Sequence, residues 1–328
     1  MVDFTVAVRT YNGAKRLPAL IDRLRSQVDT DNISWEIVII DNNSTDNTAT
    51  LIQDYQSNWS QAYPLHYYFE PKQGASIARK RAIQEAQASL IGFLDDDNLP
   101  ELNWVVAAYS FGQSHPQAGA YGGQIHGEFE REPPENFSKI AVYFAIIERG
   151  KKAFNYNNHK QKVLPPGAGL VIRKQAWLES VPDDLLLSGP QGRSISAKGE
   201  DMEILSYLQN AGWEIWYNPD MHIYHTIPAW RIEREYLILL VGSSGLTRHH
   251  IRMIRLKSWQ RPLAFFAYLA NDFRKLITYY LKNYKVLNTD IIVACEMKLL
   301  ATILISPFYM WRIEWLKLID FENPGINN

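Results

Sequence analysis

The 328-residue chain is 46% hydrophobic and 21% charged, within the range of folded globular proteins, which excludes disorder outside a short tail from Glu322 to Asn328. That length is more than one hydrophobic core usually serves and predicts a large domain with a smaller appendage. A formal net charge of −1 gives no electrostatic case for nucleic acid as a partner, and the single cysteine, Cys295, cannot close an intrachain disulfide, which fits a reducing, cytosolic setting.

The chain enters directly on a strand-like run, Phe4–Val8, without a basic-then-apolar leader. Leu17, Leu20, Ile21 and Leu24 follow at helical spacing. Trp35–Ile40 reads as a second strand bounded by the polar turn DNNSTDN, and a helix carrying Leu51, Ile52 and Tyr55 on one face comes next. Leu65–Phe69 is a third strand, Ser76–Ala86 a third helix, and Leu90–Leu94 a fourth strand that ends on three aspartates. A helix is expected to begin near Pro100. Alternation of this kind predicts an α/β fold with a parallel sheet covered on both faces and its strand C-termini along one edge, where ligands bind. Three polar clusters fall at that edge: Thr10–Asn12, Asp41–Asn43 and Asp95–Asp97.

Gly119 to Pro166 gives no clear assignment. Leu185–Gly199, rich in Gly and Ser, reads as a mobile loop, Glu203–Asn210 as a short helix and Trp213–Tyr217 as a strand. Beyond about Arg231 the pattern turns helical, so the expected division is 1–231 and 232–328. Leu299–Trp311 is apolar but short and carries Pro307, and no segment is expected to span a bilayer.

Clustered carboxylates repel unless a cation neutralises them, so Asp95-Asp96-Asp97 suits a hard ion such as Mg²⁺ or Mn²⁺; a capped turn explains the same residues equally well. Glu200 and Asp201 stand at a helix start, where the backbone favours the ionised form and a carboxylate remains available to accept a proton. A plain acidic first turn is the simpler account of that pair taken alone. His222 and His225 lie on a strand-like segment whose alternation sends them to opposite faces, which argues against a two-histidine zinc site. Gly74 precedes a helix bearing Arg79, a residue able to pair with phosphate, while Lys80 and Arg81 fit a solvated face. Basic residues from Arg248 to Lys257, followed by aromatics through Tyr280, suit either a membrane-surface helix or a helical subdomain packed on the first domain.

Taken in order, TVAVRTYNG, IVIIDNNSTDNT, KQGASIARKRAI, IGFLDDDNLP, GEDMEI and NPDMHIYH resemble the motifs of family 2 glycosyltransferases, which have the GT-A fold: a Rossmann-like, mostly parallel sheet flanked by helices, here with a helical C-terminal subdomain. The resemblance covers roughly Phe4 to His225. PPGAGLVIRKQAW and HTIPAWRIEREYL extend it to bacterial, cyanobacterial-type exopolysaccharide enzymes of the hormogonium-polysaccharide kind. It implies an inverting transferase that moves a sugar from a nucleotide diphosphate donor, a UDP-sugar, to a hydroxyl of a glycan or lipid-linked acceptor, with Mg²⁺ or Mn²⁺ as cofactor. Thr10, Tyr11 and Asn12 would line the nucleoside pocket, with Asp41 on the uracil and Asn43, Gly74, Arg79 and Asp96 along the donor. Asp95 would face the ribose and share in the metal site. Asp97 would ligate the metal, completed by His225, while Asp201 takes the acceptor proton and Glu200 orients acceptor or loop. The implied setting is cytoplasmic, with peripheral contact at the inner face of the membrane through the C-terminal helices.

Two departures stand out: Arg9 replaces an apolar residue or proline, and Asn42-Asn43 replaces the frequent Asp-Gly. A nucleotidyltransferase would also use paired aspartates, but the stretch Val6–Leu17 lacks its Gly-rich basic loop. A degenerate nucleotide-binding scaffold is disfavoured by the intact Asp95, Asp97 and Asp201.

Overall fold

The computed structural model describes residues 1–158, 163–189 and 198–322. Residues 190–197 of the loop expected at Leu185–Gly199, and 323–328 of the expected tail, lie outside the described residues.

The first half follows the alternation read from the sequence: β1 (Phe4–Thr10), α1 (Leu17–Arg25), β2 (Trp35–Asp41), α2 (Thr48–Ser57), β3 (Leu65–Phe69), α3 (Ala75–Glu85) and β4 (Leu90–Asp95). β2 is buried along its whole length and β1 all but wholly, which is why neither shows polar alternation. Pro18 stands in the first turn of α1, where a missing N–H costs nothing, and Leu17, Leu20, Ile21 and Leu24 bury the helix against the sheet. β1 pairs in parallel with β2 on one side and β4 on the other, so Thr10 lies beside Asp41 and Arg9 beside Asp95. Backbone pairing alone thus gathers the three polar turns at one edge.

Where a helix was expected near Pro100, the chain instead forms a short strand, β5 (Asn98–Pro100), before α4 (Trp104–Ser114). Then come β6 (Ala118–Phe129), β7 (Phe154–Asn155), β8 (Val171–Arg173), α5 (Lys174–Ser180), α6 (Glu200–Asn210) and β9 (Glu214–Ile227). The sheet order is β3-β2-β1-β4-β8-β6-β9-β5, with β7 also on β9. Parallel pairing runs through the β3-β2-β1-β4 half and again between β6 and β9, while antiparallel β8 joins the halves. β6 carries a register shift between Gly122 and Gln124. A Cβ on Gly123 would stand 2.0 Å from the Met221 carbonyl oxygen, so only glycine allows this approach. β5 pairs antiparallel with β9 and sets Asn98 opposite His225. β9 therefore runs well beyond the strand expected at Trp213–Tyr217.

The remainder is helical: α7 (Arg234–Leu246), α8 (Arg248–Ile254), α9 (Arg261–Asn283) and α10 (Ile291–Glu322). The main core spans the sheet and its flanking helices. A second core joins Phe137, Ile140, Phe144 and Ile227 to Leu237, Leu240, Val241, Ile292 and Cys295. Leu299–Trp311, expected to be a short apolar run, is part of a longer one: Ile291–Ile313 is 23 residues of helix, long and apolar enough to cross a membrane by length and composition, with a third of its apolar window buried inside the protein. Pro307 does not end this helix. Proline removes the bond its own N–H would make to the Ile303 carbonyl, and the Ser306 hydroxyl donates to that oxygen instead, at 2.8 Å.

Candidate active site

The β1 and β2 turns lock together. The Asn12 side-chain oxygen accepts from the Thr45 and Asp46 amides at 2.7 and 3.3 Å, and the Asn12 amide donates to the Ser44 hydroxyl at 2.9 Å. Asp41 is buried, and its two oxygens accept from the Ser44 amide and the Tyr67 hydroxyl, each at 2.9 Å. Burial, then the bond to Asp41, pushes the Tyr67 phenol well above its usual range, so it stays a donor. Asn12 and Asn43 adopt φ of 50° and 65°. Asparagine tolerates this left-handed region better than other residues with a side chain, which accounts for Asn43 where glycine is frequent. Gly74, at φ 148°, gives its amide to the Asn42 side-chain oxygen at 2.8 Å, tying the entrance of α3 to the β2 turn. Tyr11 is partly exposed.

The three aspartates after β4 have separate partners. Asp96 is buried, accepts from the Thr10 hydroxyl at 2.6 Å and takes two bonds from Arg16 at 2.8 and 2.9 Å. Burial raises its pKa, with Arg16 opposing. Asp95 accepts from the Arg9 guanidinium. Asp97 accepts from the Asn98 side-chain amide at 3.0 Å and lies 3.4 Å from His225 Nε2 and 3.7 Å from Arg231. Burial works against its charge, but a protonated His225 and then Arg231 outweigh it and hold the carboxyl below the usual range.

Arg9 also reaches Glu200, at 3.3 Å, and so joins the turn after β4 to the start of α6. Burial opposes its charge, yet Asp95 and Glu200 together keep it firmly protonated. Gly199 precedes α6 at φ 111°, a conformation favouring glycine. Asp201 accepts from the Gly167 and Met202 amides, both at 2.8 Å. The two acids are pushed apart: burial and then Glu200's charge raise Asp201, whereas Arg9 and Arg79 overcome burial to lower Glu200.

Arg79 is fully buried, 3.9 Å from Glu200 and 5.3 Å from the centre of the Phe93 ring. None of its three guanidinium nitrogens makes a hydrogen bond among the described residues. Five unused donors in a low-dielectric site are costly unless an anion or water takes them up. A Cβ on Gly167 would stand 2.4 Å from Arg79 Nη2, so glycine is what admits this side chain beside Asp201.

His225 is buried, with Nδ1 2.9 Å from the Phe144 carbonyl oxygen. A carbonyl only accepts, so Nδ1 carries a proton, and in the neutral ring this leaves Nε2 with a lone pair. That lone pair and the Asp97 carboxylate face one another across 3.4 Å with Arg231 Nη1 3.2 Å from the ring nitrogen. Two electron-rich atoms converging on a cationic group form a place that also suits a hard divalent ion. Asp95 is engaged by Arg9, and no cluster of three or more His, Cys, Asp or Glu groups with ligand spacing occurs among the described residues.

Sequence reasoning passed over Arg231, Lys198, Arg16 and Gly167. Lys198 lies next to the Gly-Glu-Asp run, and burial, followed by repulsion from Arg231, brings its pKa down to about 8. The one signal for Arg231 was a cation six residues beyond His225 on a continuing segment. Gly167 carried none.

An α/β sheet that collects polar turns at the C-termini of its parallel strands, with the Glu200-Asp201 pair linked to them by Arg9, has the layout of the GT-A fold. The chain belongs to glycosyl transferase family 2, whose sequence profile matches residues 5–179, more than half of the protein. It is similar to the Bacillus subtilis glycosyltransferase TuaG, named for teichuronic acid biosynthesis, with 34% identity over 77 residues, 24% of this chain and 30% of TuaG. The match thus spans under a third of that relative. Among solved structures, the Pyrobaculum calidifontis mannosyltransferase PcManGT, in complex with GDP-Man and Mn²⁺, aligns with TM-score 0.58 and 16% identity over 93% of this chain and 87% of that one. Staphylococcus aureus TarS 1–349 with UDP-GlcNAc gives TM-score 0.51 and 17% identity over 80% and 73% of the two chains.

Proposed function

We propose that the protein is an inverting, divalent-cation-dependent glycosyltransferase that moves a sugar from a UDP-sugar to a hydroxyl of a glycan or lipid-linked acceptor in polysaccharide or glycolipid assembly. The observation carrying this reading is the Arg9 bridge, which ties the aspartates after β4 to Glu200 at the start of α6, more than a hundred residues on. UDP is preferred on the likeness of IVIIDNNSTDNT to nucleoside-binding turns and on the UDP-GlcNAc bound by TarS.

In this reading Thr10, Tyr11, Asn12, Asp41 and Asn43 shape the nucleoside pocket. Gly74 sets the entrance of α3 beside it, and Asp96 pins the β1 turn through Thr10 and Arg16. Asp95, oriented by Arg9, faces the ribose. Arg79 directs its unused donors toward the anionic donor. Asp97 and His225 would hold the cation, which supplies charge neutralisation to the departing diphosphate. Arg231 adds positive charge beside them. Asp201 accepts the acceptor's hydroxyl proton as that oxygen attacks the anomeric carbon; the bond to the diphosphate breaks, its electrons leave with the phosphate oxygen, and the configuration inverts. Burial suits Asp201 to this task, since a raised pKa makes a stronger base, while the amides of Gly167 and Met202 fix its orientation and Glu200 orients acceptor or loop.

The test is a thermal-shift panel of UDP- and GDP-sugars with and without Mn²⁺, on the native protein and on Asp97→Ala. A ligand at a hundred times its Kd adds about 2.7 kcal/mol of apparent stability. A UDP-sugar should raise the midpoint only with Mn²⁺, and Asp97→Ala should abolish that dependence. No shift with any nucleotide sugar, or an equal shift in the variant, would overturn the assignment.

A further inference from the structure

α9 presents large apolar side chains to solvent along its length. Leu263, Phe266, Phe273, Ile277, Tyr280 and Tyr284 are all 40% exposed or more, Leu263 reaching 72%. Their separations of 3, 7, 4, 3 and 4 residues place them on one helical face, a stripe about 30 Å long at 1.5 Å per residue. At one end the stripe continues onto α10. Phe265 meets Phe266 edge-on at 5.1 Å and stacks on Trp311 at 5.6 Å, and Trp311 touches Phe308; both α10 residues are half-exposed.

The exposed charges of α9 and of the turn that follows it have one sign. Arg261, Arg274, Lys275, Lys282 and Lys285 are all exposed, whereas Asp272, the single acid between Arg255 and Thr289, is buried against Arg252. A groove of about 410 Å³ between α9 and α10 is lined by Lys275 and Lys282 on one side and by Glu296, Leu299 and Leu300 on the other. An apolar stripe on a helix whose exposed charges are cations matches the boundary between anionic headgroups and acyl chains.

We propose that α9, with Phe308 and Trp311 of α10, is a docking surface for a bilayer containing anionic lipid, against which the protein lies without crossing it. α10 is held too closely for release into the bilayer: a Cβ on Gly242 would stand 2.6 Å from the Lys298 side chain, and one on Gly245 2.2 Å from the Thr302 hydroxyl oxygen. A second copy is a poorer occupant, because a two-fold contact through this face would set cations against cations. The proposal goes beyond the catalytic reading and is tested without any sugar.

The experiment is flotation of the full chain with vesicles of pure phosphatidylcholine and with vesicles containing 30% phosphatidylglycerol (about a third of the lipid, enough for a negative surface potential). The protein should float with the anionic vesicles, bind at least tenfold more weakly to the neutral ones, and lose binding as salt rises. Phe266→Ser with Phe273→Ser and Leu281→Ser, at exposed positions, should keep the native circular dichroism and nucleotide response yet bind at least tenfold more weakly. Arg274→Glu with Lys285→Glu, the exposed cations flanking the stripe, should abolish the preference for anionic lipid. Absence of flotation, equal binding by the serine variant, a dimer that those serines dissociate, or retention in native membranes after an alkaline carbonate wash would each overturn surface docking.

Discussion

Asp201 and Glu200 are adjacent, yet their surroundings push their proton affinities in opposite directions, the arrangement by which one acid becomes a base and the other a fixed charge. Asp201→Asn keeps the shape of the side chain and removes the proton acceptor. It should bind donor with unchanged affinity by calorimetry while transfer falls by about 10²–10⁴, the usual contribution of a positioned general base. Normal turnover would remove Asp201 from the chemistry. The pH profile gives a separate reading. Protonated Asp201 cannot accept a proton, so the rate falls as pH drops through its pKa, which lies above the ordinary aspartate value of about 3.9. Burial is the first cause of that rise and Glu200 the second. Glu200→Gln removes the second cause and should move the acid limb of kcat to lower pH; a limb that stays in place would show that Glu200's charge does not act on the base.

At the scale of elements, legibility depended on whether a signal was local. Among the first four strands and three helices, β1, β2, β4 and α1 were readable because each buries a continuous or helically spaced apolar set. β5 was not, because Asn98–Pro100 is a strand only by virtue of β9, more than a hundred residues later. Proline is tolerated there because β5 is the last strand at its end of the sheet. The same distance hid Arg9: its oddity was visible, but its partners lie 86 and 191 residues away. The polar turns at Thr10, Asp41 and Asp95 could be placed because each ends a recognisable strand. α10 shows how a local rule misleads when a neighbour compensates. Pro307 argued for a stop, but Ser306 satisfies the carbonyl that proline leaves without its usual donor. Ser306 is fully buried and its oxygen also accepts from the His249 amide at 3.2 Å. Ser306→Ala should therefore cost about 1–3 kcal/mol, the penalty of unsatisfied buried polar groups, seen as a lower denaturation midpoint at unchanged m-value. A change within about 0.5 kcal/mol, the usual scatter of neutral substitutions, would mean that another group takes over the Ile303 carbonyl.

For the whole molecule, the expected division at residue 231 meets a core that crosses it. Phe137, Ile140, Phe144 and Ile227 on one side pack with Leu237, Leu240, Val241, Ile292 and Cys295 on the other. Phe144 also provides the carbonyl that sets the His225 tautomer, and Arg231 lies over the Phe144 ring at 5.4 Å. The proposed cation site is thus braced from behind by the helices that a cut at 231 would remove. We propose that the two segments form one folding unit. The full chain should unfold in a single cooperative transition, with calorimetric and van't Hoff enthalpies in agreement. A UDP-sugar with Mn²⁺ should shift that entire transition, because ligand binding to the native state stabilises everything that unfolds with it. A chain ending at Arg231 would expose the apolar faces of Phe137, Phe144 and Ile227 and should aggregate or show no nucleotide response. Two resolved transitions, only the first of them moved by nucleotide, would instead establish the helical segment as an independent unit and leave His225 to be positioned by the sheet alone.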